Sequence, residues 1–208
     1  MSEFIEIRPH NINSKTIREI VQVLRKGGLA IIPTDSIYAI VGDLHHRGVM
    51  EKICKLLDKK PNKANLSILC KDLSNLSEYT SPISNPTYKV MNRVLPGPFT
   101  FILKANNNVP KIFRQNKKTI GIRVPDNAIC QALIVELGNP LVCSSIHSED
   151  EIQEYLTEPE EIFEVWQNKV EYIIDGEAGQ NVGTTVLDAS EDKIELVREG
   201  LGIDQLYR

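Results

Sequence analysis

Short apolar runs of strand length alternate along this chain with stretches whose apolar residues recur at helical spacing. The first helical stretch follows Ser14, which is suited to cap it, and its apolar face consists of Ile17, Ile20, Val21 and Leu24. Further helices are predicted around 49–57, 90–95 and 129–137, and strands around 4–7, 29–33, 66–70, 99–105, 119–125, 140–145, 171–175, 184–188 and 194–200. Because strands alternate with helices, the sequence predicts an α/β protein with helices on the faces of a sheet.

The length of 208 residues is sufficient for one well-filled core, so we expect a single domain over residues 1–208. A net charge of −4 argues against a protein that coats nucleic acid without specificity, so any RNA binding would depend on local clusters of basic residues. The longest apolar run falls far short of the roughly 20 residues of a membrane helix. The N-terminus lacks the pattern of a signal peptide, so we expect a cytoplasmic protein without a membrane partner.

The cysteines indicate packing rather than metal binding or disulfides. All four lie within apolar runs, without a C-x-x-C pair or a histidine at the spacing of a zinc site: Cys54, Cys70, Cys130 and Cys143. We interpret them as small buried side chains in a reducing compartment, and no metal site is predicted.

A cluster of small polar residues directly follows the strand predicted at 29–33. Thr34, Asp35 and Ser36 stand at a strand end, which is where ligands bind in open α/β sheets. Their hydroxyl groups can hydrogen-bond a phosphate or a carboxylate without adding a charge that must be desolvated. An ordinary turn explains the same residues equally well.

A single arginine favours the interpretation of this cluster as part of a binding site. Arg123 stands between Ile122 and Val124 in a predicted strand, so its side chain points to the opposite face from both. On a concave face its guanidinium would form a fork for a carboxylate or phosphate, whereas on a solvated face it would be ordinary. Ser145 and Thr184 also stand at the ends of apolar runs, and together these residues predict a pocket for a small anionic ligand.

Several segments, in order from about Gly27 to Gly200, resemble the YrdC/YciO family: "GGLAIIPTDSIYAIVGD", "PGPFTFILKA", "GIRVPDNAICQALIVELGNPLVCSSI", "GTTVLD" and "VREG". The resemblance implies a twisted, mixed open sheet with helices on both faces and a positively lined concave surface. It also implies binding of double-stranded RNA, or the threonylcarbamoyl-AMP synthase reaction. In that reaction threonine, bicarbonate and ATP form an adenylate for tRNA modification, with Mg²⁺.

The resemblance assigns the substrate-binding residues one by one. Thr34 and Tyr38 fall where the family contacts threonine and its activated product, and Arg123 falls on the arginine that binds the threonine carboxylate. Positions that line the nucleotide or substrate correspond to Ser145, Thr184 and Arg198. The resemblance assigns no catalytic residue.

The phosphate-binding motifs depart from the synthase pattern, and the departures are closer to the YciO branch. A K-x-R-P motif is replaced by Asp58, Lys59, Lys60 and Pro61, and the asparagine of an S-x-N motif by His147. We take Asp58, Lys60, Lys63 and His147 as the residues next to bound phosphates. A carboxylate beside a triphosphate predicts weak ATP binding and inefficient synthesis of threonylcarbamoyl-AMP.

Three functions therefore remain open. The first is an enzyme of this family that acts on threonylcarbamoyl-adenylate or a related nucleotide, with Mg²⁺ accompanying ATP. The second is a hydrolase of such acyl compounds, in which Asp58 and His147 orient water. The third is a non-catalytic protein that binds tRNA or double-stranded RNA through two loose basic clusters, which a solvated surface would also explain: Lys52, Lys55, Lys59, Lys60 and Lys63, and Lys111, Arg114, Lys117 and Lys118.

Overall fold

A computed structural model describes residues 2–60, 64, 66–110, 118–147, 155–191 and 193–207. Its strands are β1 Glu3–Glu6, β2 Ala30–Ile32, β3 Ala39–Asp43, β4 Ser67–Leu69, β5 Phe99–Lys104, β6 Thr119–Arg123, β7 Leu141–Ser145, β8 Tyr172–Asp175, β9 Thr185–Asp188 and β10 Glu195–Arg198. Its α-helices are α1 Ser14–Arg25, α2 Val49–Leu56, α3 Asn85–Val94, α4 Ala128–Leu137 and α5 Pro159–Trp166. Short 3₁₀ helices follow at Leu76–Glu78 and Ile203–Tyr207.

The strands form one ten-stranded mixed sheet in the order β1-β8-β2-β3-β7-β4-β6-β5-β9-β10. Parallel pairs join β1 to β8, β8 to β2, β4 to β6 and β5 to β9. Antiparallel pairs join the remaining neighbours. The α/β architecture predicted from the alternation of elements, and the mixed sheet implied by the resemblance, are confirmed.

Helices cover both faces of the sheet, each over its own hydrophobic core. On one face α1 and α4 pack against inward side chains of the central strands, including Ala39, Val41 and Leu141. On the other face α2, α3 and α5 pack against alternate residues of the same strands, including Ile40 and Val142. Because neighbouring strand residues point to opposite faces, strands buried on both sides are apolar throughout.

Two local features differ from the sequence prediction. The N-cap of α1 is Asn13, whose side chain accepts a hydrogen bond from Lys15 N at 2.8 Å, and Ser14 is the first helical residue. The strand β3 was not predicted; it pairs antiparallel with β2, so the polar cluster between them is a hairpin turn, one of the two alternatives that the sequence left open. Among the described residues, no helix is long and apolar enough to span a membrane.

Candidate functional site

The face of the sheet that carries α1 and α4 is left open over its other half. Leu69 of β4 packs under these helices, whereas Ser67, two residues earlier on the same face, lines an open cavity of about 1060 Å³. Alternate residues of β5, β6 and β9 continue the floor of this cavity, among them Thr100, Gly121 and Val186. The sheet therefore has a concave, uncovered surface of the size of a ligand pocket.

The middle of the cavity floor is low because Gly121 has no side chain. A Cβ atom on Gly121 would lie 2.3 Å from Ser67 Oγ and 3.3 Å from Thr100 Cγ2. The register of the strands places Ser67 of β4 beside Gly121 on β6 and beside Cys143 on β7. Small side chains in one row thus keep the concave surface open.

Arg123 stands at the end of β6 and lines this cavity, on the opposite face from Ile122 and Val124 as strand alternation predicts. Its Nη2 atom donates toward Asp35 Oδ1 at 2.7 Å, Ser36 Oγ at 3.1 Å and Thr34 Oγ1 at 3.3 Å. Two hydrogens on Nη2 are thus shared among three acceptors of the β2–β3 turn. The arginine is anchored to this turn although 87 or more residues separate them along the chain.

The rest of the guanidinium has donors to spare. Arg123 is 5% exposed, and its buried Nε has no hydrogen-bond partner in the part of the chain that the structure describes. A buried donor without an acceptor is costly, commonly about 1–3 kcal/mol, and such groups are rare in native proteins. An anionic ligand in the cavity would satisfy this donor.

The turn itself is tightly ordered. Thr34 Oγ1 donates to Ile37 O at 2.8 Å and accepts from Ser36 N at 3.0 Å, while Cys130 Sγ lies 3.2 Å from Pro33 O. The hydroxyl groups of Thr34 and Ser36, which the sequence predicted to bind a ligand, therefore form hydrogen bonds within the protein. Thr34 contacts Arg123, but it is not among the described residues that line the cavity.

Tyr38 lies in the opposite core, not on the cavity wall. Its ring is fully buried, and its hydroxyl donates to Glu177 O at 2.7 Å and accepts from Gly176 N at 3.2 Å. Burial raises the pKa of Tyr38 to about 12. The structure therefore brings Arg123 and Thr34 together, while Tyr38 braces the segment at 176–177.

Thr184 and Arg198 form a hydrogen-bonded side wall. Arg198 donates to Thr184 O from Nε at 3.2 Å and from Nη2 at 2.9 Å, and Thr184 Oγ1 lies 2.8 Å from Thr100 Oγ1. Register pairing sets Arg198 opposite Val186, which in turn pairs with Thr100. Both predicted residues thus line the cavity with their polar atoms connected to its floor.

Ser145 and His147 line the cavity at the end of β7. The His147 ring lies 5.0 Å from the Tyr155 ring at an interplanar angle of 36°. His147 is an exposed residue. Cys143 faces the cavity two residues before Ser145, and burial raises the pKa of its thiol to about 11. A thiol that stays protonated near neutral pH is a poor nucleophile, so the cysteine is part of the wall.

The backbone at the end of α2 decides which charges reach the cavity. Asp58 has a left-handed φ of 50°, and Lys59 N closes the turn by donating to Cys54 O at 2.9 Å. This turn places Lys59 on the cavity wall, whereas neither Asp58 nor Lys60 is among the described lining residues. Contacts of Asp58 and Lys60 with bound phosphates stay predictions, and Lys63 lies outside the described residues.

The cavity wall is cationic on balance. Basic side chains along it are Lys59, Lys104, Lys118, Arg123 and Arg198, and acidic ones are Asp188 and Glu191. Lys104 forms a surface ion pair with Glu191 at 3.0 Å. Of the second basic cluster, Lys111, Arg114 and Lys117 lie outside the described residues.

Sequence reasoning missed most of the cavity floor. Ser67, Thr100 and Gly121 each alternate with large apolar residues in a strand, and Lys59 follows the end of a helix. The available signal was a small or polar residue between large apolar neighbours in each of three strands: Ser67 in β4, Thr100 in β5 and Gly121 in β6. Such a position points to the opposite face from its apolar neighbours, so it could mark a surface other than the core.

Comparison with known proteins places these features in context. Residues 22–200 match the Sua5/YciO/YrdC family model, described as "Telomere recombination". The chain is 39% identical to the protein YciO of Escherichia coli K12 over 97% of both chains. It is 26% identical to the threonylcarbamoyl-AMP synthase of Bacillus subtilis 168 over 90% of this chain and 54% of that protein.

Solved structures agree with this comparison. The crystal structure of E. coli YciO superposes with a TM-score of 0.91 at 36% identity and covers all of both chains. The crystal structure of P. abyssi Sua5 complexed with L-threonine superposes with a TM-score of 0.86 at 24% identity. It covers 96% of this chain and 58% of Sua5, and at that identity it shows a common fold.

Proposed function

Because this chain belongs to the Sua5/YciO/YrdC family, whose relatives include threonylcarbamoyl-AMP synthases, we propose that its cavity binds a nucleotide-type ligand that carries a carboxylate. The observation that carries the proposal is the buried guanidinium of Arg123, which lines the open cavity and whose Nε has no hydrogen-bond partner among the described residues. A volume of about 1060 Å³ is sufficient for a nucleotide together with a small acid.

The two ends of such a ligand meet different parts of the wall. Its carboxylate binds Arg123, and its phosphates lie along the basic side chains Lys59, Lys104 and Lys118. Mg²⁺ would arrive with the nucleotide, held mainly by phosphate oxygens and water. Among the described residues no group of three or more His, Cys, Asp or Glu side chains is placed to hold a metal ion.

The arrangement of the α2 end changes the expectation for ATP. Lys59 rather than Asp58 is among the described residues that line the wall, so the phosphates of a bound nucleotide would meet a cation there, which supports nucleotide binding. The hydrolytic alternative is less well supported, because His147 lines the cavity whereas Asp58 is not among the described lining residues. The geometry therefore favours the binding of an adenylate.

RNA binding is a second candidate, and a specific observation supports it. Lys59, Lys104 and Lys118 line one open concave surface, which is suited to the phosphates of tRNA or double-stranded RNA. This surface is also the one that a nucleotide would use, so both ligands would compete.

Thermal-shift measurements with ATP, AMP, L-threonine and tRNA separate the candidates. A ligand at 100 times its dissociation constant adds about 2.7 kcal/mol, which corresponds to a melting-temperature rise of roughly 5–11 °C in a domain of this size. We expect this rise with a small ligand and its loss in Arg123→Lys, which keeps the charge but not the fork. A rise with tRNA alone, abolished between 50 and 200 mM salt, would favour the RNA-binding function instead.

A further inference from the structure

Asp35 introduces a second carboxylate into the anion site. Its Oδ1 lies 2.7 Å from Arg123 Nη2, and both side chains are 6% exposed. The carboxylate compensates the buried cation, and it also neutralises in advance the charge that would attract an anion. Asp35 therefore affects which anion Arg123 can bind.

The carboxylate of Asp35 is fixed in this position. Its Oδ2 accepts a hydrogen bond from Asp126 N at 3.1 Å, so each oxygen is held by a different element. The neighbouring hydroxyl groups of Thr34 and Ser36 also bond to Nη2 and to each other. Asp35 thus remains beside Arg123 when a ligand arrives, and it does not act as a displaceable substitute for one.

We propose that Asp35 is a specificity-determining residue, which makes the Arg123 site accept a singly charged carboxylate and reject a doubly charged phosphate. This inference rests on the proposed function, because it requires that an anion binds Arg123. With Asp35 in place, the pair is neutral before the ligand binds. A carboxylate leaves the group with one net negative charge, whereas a phosphate dianion leaves it with two.

The surroundings strengthen the discrimination. Both charged side chains are nearly sealed from solvent, so repulsion between Asp35 and the ligand is screened much less than at the surface. The buried donor that remains on Arg123 is Nε, for which the described residues supply no acceptor. At about 4 Å and an effective dielectric constant of about 20, repulsion by one further charge corresponds to about tenfold or more in affinity.

The test is an NMR titration of the full-length protein with acetate and, separately, with inorganic phosphate at pH 8. The readout is the ¹H–¹⁵N resonance of the Arg123 Nε–H group, assigned with Arg123→Lys. The variants are Asp35→Asn, which removes the charge at nearly constant shape, and Asp126→Asn, which removes one from an exposed side chain in the adjoining loop. Asp35→Ser serves as a second variant in case the first does not fold.

In the wild type and in Asp126→Asn, we expect acetate to shift the resonance with an affinity about tenfold or more above that of phosphate. In Asp35→Asn or Asp35→Ser, phosphate affinity rises about tenfold and the preference disappears. Equal affinities in the wild type, or equal weakening of both anions in the Asp35 variants, overturn the inference but leave Arg123 as an anion site. If neither anion shifts the wild-type resonance, both the inference and the proposed function are refuted.

Discussion

Replacement of Arg123 by methionine tests the buried ion pair that organises the site. The substitution keeps an apolar stem of similar length but removes the cation, so Asp35, 6% exposed, is left as an uncompensated buried charge. Breaking one side of a buried pair costs about 3–5 kcal/mol, which in a domain of this size lowers the melting temperature by roughly 6–20 °C. The hydroxyl groups of Thr34 and Ser36, 3.1 Å apart, replace little of the stabilisation that Asp35 loses with the guanidinium.

The assay is urea unfolding followed by the fluorescence of Trp166, the one tryptophan of the chain, which is buried in the α5 core. The double variant Asp35→Asn, Arg123→Met should recover much of the lost stability, because no unpaired charge remains. Arg18→Met, on the exposed face of α1, is the matched control and should change stability by less than about 0.5 kcal/mol. A single Arg123→Met variant within about 1 kcal/mol of the wild type, or a double variant as unstable as the single one, would refute the reasoning.

Three further predictions concern the core, the nucleotide end and RNA. Burial raises the pKa of Tyr38 to about 12, so as the pH rises from about 10 to 12 the phenol ionises in the unfolded chain before it does in the folded one. The free energy of unfolding of the wild type should therefore fall by up to about 2–3 kcal/mol more than that of Tyr38→Phe over this range. Parallel pH profiles of unfolding would contradict this. Lys59→Ala should weaken AMP binding by about 3- to 30-fold in calorimetry, whereas Asp58→Ala should leave it nearly unchanged; the reverse order would show that the α2 turn is differently arranged when ligand is bound. If the cavity binds tRNA, substitution of Lys104 and Lys118 by alanine should lower the slope of log affinity against log salt by about 1–2, and an unchanged slope would place RNA elsewhere.

The fold was largely predictable because periodicity carries most of its information. The helical face of Ile17, Ile20, Val21 and Leu24 is buried as its spacing predicts. The strand Ala39–Asp43 was not predicted; its five residues are all buried, so no alternation marks it, and it directly follows a polar cluster. Which strands are neighbours in the sheet depends on long-range packing, which no local pattern encodes.

The site was predictable only where a single strand determines direction. Arg123 points to the open face because Ile122 and Val124 must point to the core. Its pairing with Asp35 joins residues 88 positions apart, so only the folded sheet brings them together. The exchange of Asp58 for Lys59 on the wall follows from one left-handed residue at the end of α2, which residue types alone do not specify.

A co-crystal structure with L-threonine and AMP tests the central claim most directly. We predict a carboxylate within about 3 Å of Arg123 Nε, with the adenylate phosphate on the Lys59 side of the same cavity. Density for both ligands outside the cavity, with Arg123 Nε still unpartnered, would contradict the account.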